Sequence, residues 1–409
     1  MFCKNIVAET PPEVNEACRP EKGETHMPSR MNSVKTSFFG KGAVALLTPE
    51  LKKMGVSRAL IVTDGFLYKS GAADYVGKAL SDAGVAYAVY HQVQPNPTVD
   101  VVNDCITAAK MLQVDLLVAV GGGSAIDTAK AASIVTANGG RVEDYEGVNK
   151  SAKAGIPIVA VNTTAGTGSE CTSFYIVTDP ARHSKMAMVD PNCMVTIAVN
   201  DIHLMMTMPP KLTASTGLDA LTHAIEAVLA KGATPLTDRD ALWAVETVWK
   251  YLPRAVRNGQ DEEAREMMAY AEYAAGMAFS NAGLGMVHAM AHALGGHSNL
   301  PHGVCNAVLL PFVTDFNAEH SSEVRERIPR ISAVMSLVDS RPYTLVKALK
   351  DTAAELGIPP TLKALGGVTP DDFGALADLA VKDACMADNL YTPSREETIG
   401  VYQNAWTGR

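Results

Sequence analysis

The residues best suited to chemistry in this chain are one carboxylate and a group of imidazoles. Asp219-Ala220-Leu221-Thr222-His223 sets an acid and a histidine four residues apart. On a helix both project from one face. His288-Ala289-Met290-Ala291-His292 repeats that spacing, and His297 and His302, within Pro301-His302-Gly303, follow it. Four of the ten histidines therefore fall within residues 288–302. No Asp, Glu, Lys or Arg occurs from Tyr273 to Thr314, so these imidazoles belong to a dry, apolar wall. One carboxylate with three neutral imidazoles suits a divalent transition metal and leaves room for a substrate oxygen. Any single histidine here also reads as a hydrogen-bonded core residue, and a lone i,i+4 pair is more often structural than ligating. The clustering in an uncharged segment weighs against that reading. Spacing alone leaves open which three of His223, His288, His292, His297 and His302 bind.

A second set of residues suits a nucleotide. Leu116–Val120 runs into Gly121-Gly122-Gly123-Ser124 and then into a helical pattern. Glycines admit close backbone approach, and a helix N-terminus offers free N–H groups to a phosphate. A tight strand-to-helix turn explains an isolated glycine pair equally well. Three glycines with Ser124 at a cap-like position favour anion binding. This is not the G-x-G-x-x-G fingerprint, and it follows the third strand of its region rather than the first. A second loop, Asn162 to Glu170 and including Thr163 and Thr164, follows the next strand and faces the same crevice. Asp64 closes the first strand. An acid there accepts ribose hydroxyls and repels a 2′-phosphate, which favours NAD over NADP, although a turn aspartate before Gly65 is the plainer reading.

The elements that position these residues change character along the chain. Short β-rich runs at 59–63, 87–90, 116–120 and 156–161 alternate with helical stretches near 68–83, 98–112 and 124–136. This alternation predicts a parallel sheet with helices on both faces. Runs at 185–189 and 195–199 read as a hairpin arm and an added strand. Beyond Pro209-Pro210 the pattern turns helical. The expected organisation is a loose extension over 1–31, rich in Glu and Pro, an α/β dinucleotide-binding domain over 32–208, and an all-α metal-binding domain over 209–409, with the site in the cleft between the last two.

Composition bounds the partners. A net charge of −9 offers no basic footprint for nucleic acid. Charged residues interrupt the N-terminus, and histidines, glycines and prolines break the uncharged segment, so neither a signal peptide nor a membrane span is expected. Seven irregularly spaced cysteines give no disulfide framework and point to a reducing, cytoplasmic setting.

The stretches Gly121–Ser124, Thr164-Ala165-Gly166-Thr167, Gly217–Glu226, and His288–His292 through Pro301-His302-Gly303 resemble the iron-containing alcohol dehydrogenases. The resemblance runs from about Thr36 to the C-terminus. It implies Fe²⁺, with Zn²⁺ as the alternative, held by Asp219, His223, His288 and His302, and it moves His292 from the ligand set to a place beside the nicotinamide of NAD. It implies that Asp64, Asn96, Gly122, Gly123, Ser124, Thr163, Thr164 and Lys185 contact NAD. Phe279, Cys385 and His297 would line the substrate pocket, although plain core packing explains Phe279 and Cys385 as well. It implies a homodimer or larger homo-oligomer that oxidises a small primary alcohol or reduces the aldehyde, of the ethanol, methanol, lactaldehyde, propanediol or sulfoacetaldehyde type. The alternative is a glycerol dehydrogenase-like or dehydroquinate-synthase-like enzyme of similar fold. The N-terminal extension and His297 depart from the family pattern.

Overall fold

A computed structural model describes residues 29–182 and 184–409; the extension expected at 1–31 lies outside the described residues save for its last three. Among the described residues nine strands run β1 (Thr36–Phe39), β2 (Arg58–Asp64), β3 (Ala86–Val93), β4 (Leu116–Gly121), β5 (Gly147–Val148), β6 (Ile158–Asn162), β7 (Phe174–Asp179), β8 (Ser184–Val189) and β9 (Ile197–Asn200). Six form one sheet in the order β1-β9-β6-β4-β2-β3, and every neighbouring pair is parallel. Strand β8 pairs with β7 antiparallel, as the expected arm, while β9 joins the main sheet. β1 and β5 are too short and too poor in β-branched residues to stand out in the sequence, whereas β7, with Phe174 to Thr178 all strand-favouring, is a strand the sequence reading passed over.

The central strands are near-continuous apolar runs because both faces are covered, as a parallel sheet requires. Alternate residues choose opposite faces. Leu60, Val62, Leu117, Ala119, Ile158 and Ala160 pack with Cys105, Ile106 and Ile126 of helices α2 (Val99–Leu112) and α3 (Gly123–Asn138). Ile61, Val118, Val120, Val159 and Val161 pack on the other face with Leu47 and with Val76 and Leu80 of α1 (Ala72–Ala83). Helix α3 starts at Gly122 with no side-chain cap, so the glycine loop delivers uncapped N–H groups to the carboxyl edge of the sheet.

Beyond Asn200 the described chain is helical. The site uses α4 (Pro210–Leu229), α6 (Glu262–Ala282), α7 (Met286–Ser298) and α8 (His302–His320), and α5 (Pro235–Arg257) packs against α4 and α6. Helix α4 is buried nearly all round, from Thr213 to Leu229 apart from Thr216, which marks it as a central core helix. Gly303 makes the α4–α8 approach feasible: a Cβ there would stand 2.3 Å from the Ser215 carbonyl oxygen. Residues 32–409 form one compact unit.

A buried acid pair ties the helical part to the sheet. Glu272 of α6 accepts from Asn162 Nδ2 at 2.6 Å and from Gly168 N at 2.8 Å. Glu170 accepts from Asn200 Nδ2 at 3.0 Å. Burial, with the Glu170 charge beside it, holds the Glu272 carboxyl well above the usual range. No helix among the described residues is long and apolar enough to cross a membrane.

Candidate active site

The four residues Asp219, His223, His288 and His302 come together from three helices. Each offers a donor atom within 4.8 Å of the others. Helix α4 supplies Asp219 and His223 from one face, α7 supplies His288, and α8 supplies His302 from its first turn. The His288 Nε2 lies 3.9 Å from Asp219 Oδ1, and His302 Nε2 lies 3.7 Å from it. The His223 and His288 rings stack with centroids 4.5 Å apart.

The surroundings fix which ring nitrogens face the cluster. His223 Nδ1 donates to the Gly166 carbonyl at 3.2 Å. His288 Nδ1 donates to Glu226 Oε2. In each neutral ring Nε2 then keeps its lone pair. Burial holds these imidazoles neutral, pushing His223 down to about 3 and His288 and His302 well below the ordinary histidine value. Desolvation also raises the Asp219 carboxyl, opposed by His223 and by Asn306.

Glu226 does two jobs. Helix α7 begins at Gly285 without a cap of its own. Glu226 Oε1 accepts from Val287 N at 2.7 Å, Asn389 Oδ1 accepts from Met286 N at 3.2 Å, and the other Glu226 oxygen holds His288. Burial pushes the Glu226 carboxyl up to about 8.

The donor set fits a divalent cation. Asn306 Nδ2 donates to Asp219 Oδ1 at 2.6 Å and stands 3.0 Å from His288 Nε2 and 3.2 Å from His302 Nε2. An amide carries two hydrogens, one fewer than the acceptors converging on it. The buried Nδ1 of His302 has no partner among the described residues. A carboxylate and three imidazole lone pairs match iron or zinc in type and number.

These donors line a cavity of about 140 Å³ that also reaches Asn96, Gly123, Ser124, Lys185 and His292. Its apolar wall includes Phe174, Phe279 and Leu284. Phe279 stacks on His223 with centroids 4.4 Å apart. Asn96 adopts left-handed backbone, φ 54°, and its Oδ1 accepts from Lys185 Nζ at 2.8 Å. Desolvation lowers the Lys185 ammonium from its usual value. His292 Nδ1 donates to Asp383 Oδ2 at 2.9 Å, and its ring stacks on His302 at 5.3 Å.

Two family models match nearly end to end. One, described as iron-containing alcohol dehydrogenase, covers residues 35–202, and the other, the C-terminal part of the Fe-containing alcohol dehydrogenase family, covers 213–406. The chain belongs to the iron-containing alcohol dehydrogenase family. Alcohol dehydrogenase 4 of Schizosaccharomyces pombe is 45% identical over 90% of this chain and 87% of its own. An NAD-dependent methanol dehydrogenase of Bacillus methanolicus is 43% identical over 90% of this chain and 97% of its own. A crystal structure of 1,3-propanediol oxidoreductase superposes with a TM-score of 0.89 at 37% identity, covering 93% of this chain and 100% of that one. These relatives are named as alcohol, methanol and propanediol oxidoreductases.

Within that family frame, the remaining sequence expectations distribute unevenly. Cys385 lines the cavity with Phe279. Gly122, Thr163 and Thr164 follow the ends of β4 and β6 and are not among its lining residues. A Cβ on Gly122 would stand 2.6 Å from Thr164 Oγ1, so the two loops need that glycine to abut. Asp64 accepts from Phe66 N and Leu67 N and caps the short helix Gly65–Lys69. His297 points away from the cavity lining, with Nε2 3.4 Å from Asp372 Oδ1. Sequence reasoning missed Glu226, Asn306 and Asp383. Glu226 sits three residues after His223 on the same helix face, and Asn306 four after His302, so helical spacing carried both. Asp383 is 91 residues from His292 and had no such signal.

Proposed function

We propose that this protein is a metal-dependent, NAD(H)-linked alcohol dehydrogenase or aldehyde reductase acting on a small primary alcohol or aldehyde. The observation that carries the reading is one cavity bordered on one side by Asp219, His223, His288 and His302 and on the other by Gly123 and Ser124 of the glycine loop.

Held by these four ligands, Fe²⁺ or Zn²⁺ supplies Lewis-acid polarisation of the substrate oxygen, and NAD supplies the hydride acceptor or donor. Glu226 and the Gly166 carbonyl keep His288 and His223 in the ligating tautomer. Gly122, Gly123, Ser124, Thr163 and Thr164 bind the phosphates and ribose at the start of α3. Asp64 binds the adenosine ribose with the carboxylate oxygen left free by its capping role. Lys185 and Asn96, bonded to each other, orient the nicotinamide half. Phe174, Phe279 and Leu284 exclude water from the reacting atoms and, with Cys385, shape a pocket for a short carbon chain. His292, with Nδ1 committed to Asp383, keeps Nε2 as acceptor for the substrate proton.

The family resemblance extends the proposal to a cytoplasmic homodimer or larger homo-oligomer. The buried free thiols Cys105, Cys171, Cys193, Cys305 and Cys385 suit a reducing compartment. An NADH-oxidation screen over small aldehydes, after loading with Fe²⁺ or Zn²⁺, tests the reading. Turnover with at least one short aldehyde is the expected result, and none across the series would end it.

A further inference from the structure

The wall of the cavity carries a second cluster of ligand types that the proposed reaction leaves partly unused. His292, Asp383 and Cys385 each offer a donor atom within 4.8 Å of the others. His292 comes from α7, and the other two from the turn that opens the short helix Ala384–Asp388. The cluster is held rigidly. Asp383 Oδ2 takes the His292 Nδ1 proton at 2.9 Å, and Asp383 Oδ1 accepts from Cys385 N at 2.8 Å. His292 is 7% exposed and Cys385 2%. Access exists from two sides: His292 and Cys385 line the main cavity, while His292 and Asp383 line a neighbouring cavity of about 370 Å³.

We propose that His292, Asp383 and Cys385 form a second divalent-metal site, selective for a soft ion such as Zn²⁺ or Cd²⁺, whose occupation inhibits the enzyme. The inhibitory half rests on the function proposed above; the binding half does not. Three physical arguments support the site. The donors are thiolate, imidazole and carboxylate, the set zinc uses, with a fourth position open to the cavity. The Asp219 cluster has no sulfur, so softness separates the two sites: thiolate favours Zn²⁺ and Cd²⁺ over Fe²⁺. One thiolate and one carboxylate neutralise a dication, so the filled site is itself uncharged beside the first.

Binding is proton-coupled. The Cys385 S–H bond breaks, the sulfur pair forms the metal bond, and one proton leaves to solvent. His292 moves its proton from Nδ1 to Nε2 as Nδ1 takes the metal. The switch removes the Nε2 acceptor that faces the substrate, which is the inhibitory step. Burial holds the Cys385 thiol well above its ordinary value, so affinity rises with pH.

The test uses the Fe²⁺-loaded enzyme titrated with Cd²⁺, reading bound metal per chain and the ultraviolet thiolate-to-cadmium absorption. The wild type is expected to take up one Cd²⁺ beyond its resident metal, with that band. Cys385→Ser and, independently, Asp383→Asn should weaken this uptake roughly tenfold or more, and the serine variant should lose the band. His288→Ala should lose the resident metal yet keep the cadmium band. Excess Zn²⁺ should inhibit the wild type more strongly than it inhibits Cys385→Ser, each relative to its own uninhibited rate. An unchanged band in Cys385→Ser, or no uptake beyond the first ion, overturns the site. No aldehyde turnover in the Fe²⁺-loaded enzyme before cadmium is added, with the band appearing on titration, overturns the catalytic reading instead and leaves the site standing.

Discussion

Glu226→Gln isolates what the carboxylate behind His288 contributes. The amide is the same size, so its oxygen can keep the 2.7 Å bond from Val287 N and α7 stays capped. Its NH₂ then faces His288 Nδ1, where the wild type presents an acceptor. Two donors cannot share that contact, so His288 must move its proton to Nε2 and aim it into the cluster. One of four ligands is lost unless the ring rotates or Val287 N gives up its partner. Loss of such a ligand-orienting contact weakens metal binding about 10- to 100-fold, or roughly 1.4–2.8 kcal/mol. The assay is metal retained per chain across a chelator-buffered series, with melting of the metal-free protein as the control for the cap. Wild-type affinity should also rise with pH up to about 8, because metal favours the ionised form of a carboxyl that burial has pushed up to about 8; the glutamine variant should lack that rise. Wild-type metal affinity in Glu226→Gln would refute the reasoning.

Three further outcomes follow from the same geometry. His288→Ala should remove metal and activity together, read by metal analysis and NADH turnover on one sample; full activity in metal-free protein would sink the assignment. Lys185→Met should raise the KM for NADH while leaving bound metal unchanged, since the lysine reaches the cofactor side through Asn96 at 2.8 Å; an unchanged KM removes it from that role. Glu272 has a raised folded-state pKa, so its contribution to stability is full below the ordinary glutamate value of about 4.3 and is lost as pH rises towards the folded value. Glu272→Gln stays neutral at every pH, so its Tm should fall less than the wild type's as pH rises above about 4.3; parallel curves would contradict this.

The sequence made some of this site legible and hid the rest for physical reasons. Asp219 and His223 stand out because i,i+4 spacing on a helix is local, and the absence of charged residues marks the histidines of 288–302 as a group; only the family resemblance separates His288 and His302 from His292 and His297. The alternating β runs marked the central strands, each buried on both faces. β1 did not stand out, because a short edge strand is completed by a distant partner: it pairs only with β9, from Thr36–Ile197 to Phe39–Asn200. The same holds for Asp383, whose role depends on a fold-wide closure onto His292. Asp64 shows the opposite case. Its local reading as a turn aspartate is what its side chain does, capping Gly65–Lys69, and its ribose contact remains a proposal.

The central claim is that the Asp219, His223, His288 and His302 cluster carries the metal on which reduction depends. The most direct measurement strips the protein with chelator, adds Fe²⁺ back anaerobically in steps, and reads NADH-dependent aldehyde reduction against metal bound per chain. The account predicts no turnover at zero metal and a rise in proportion to the first equivalent. Full turnover in the stripped protein, or turnover that ignores bound metal, would contradict it.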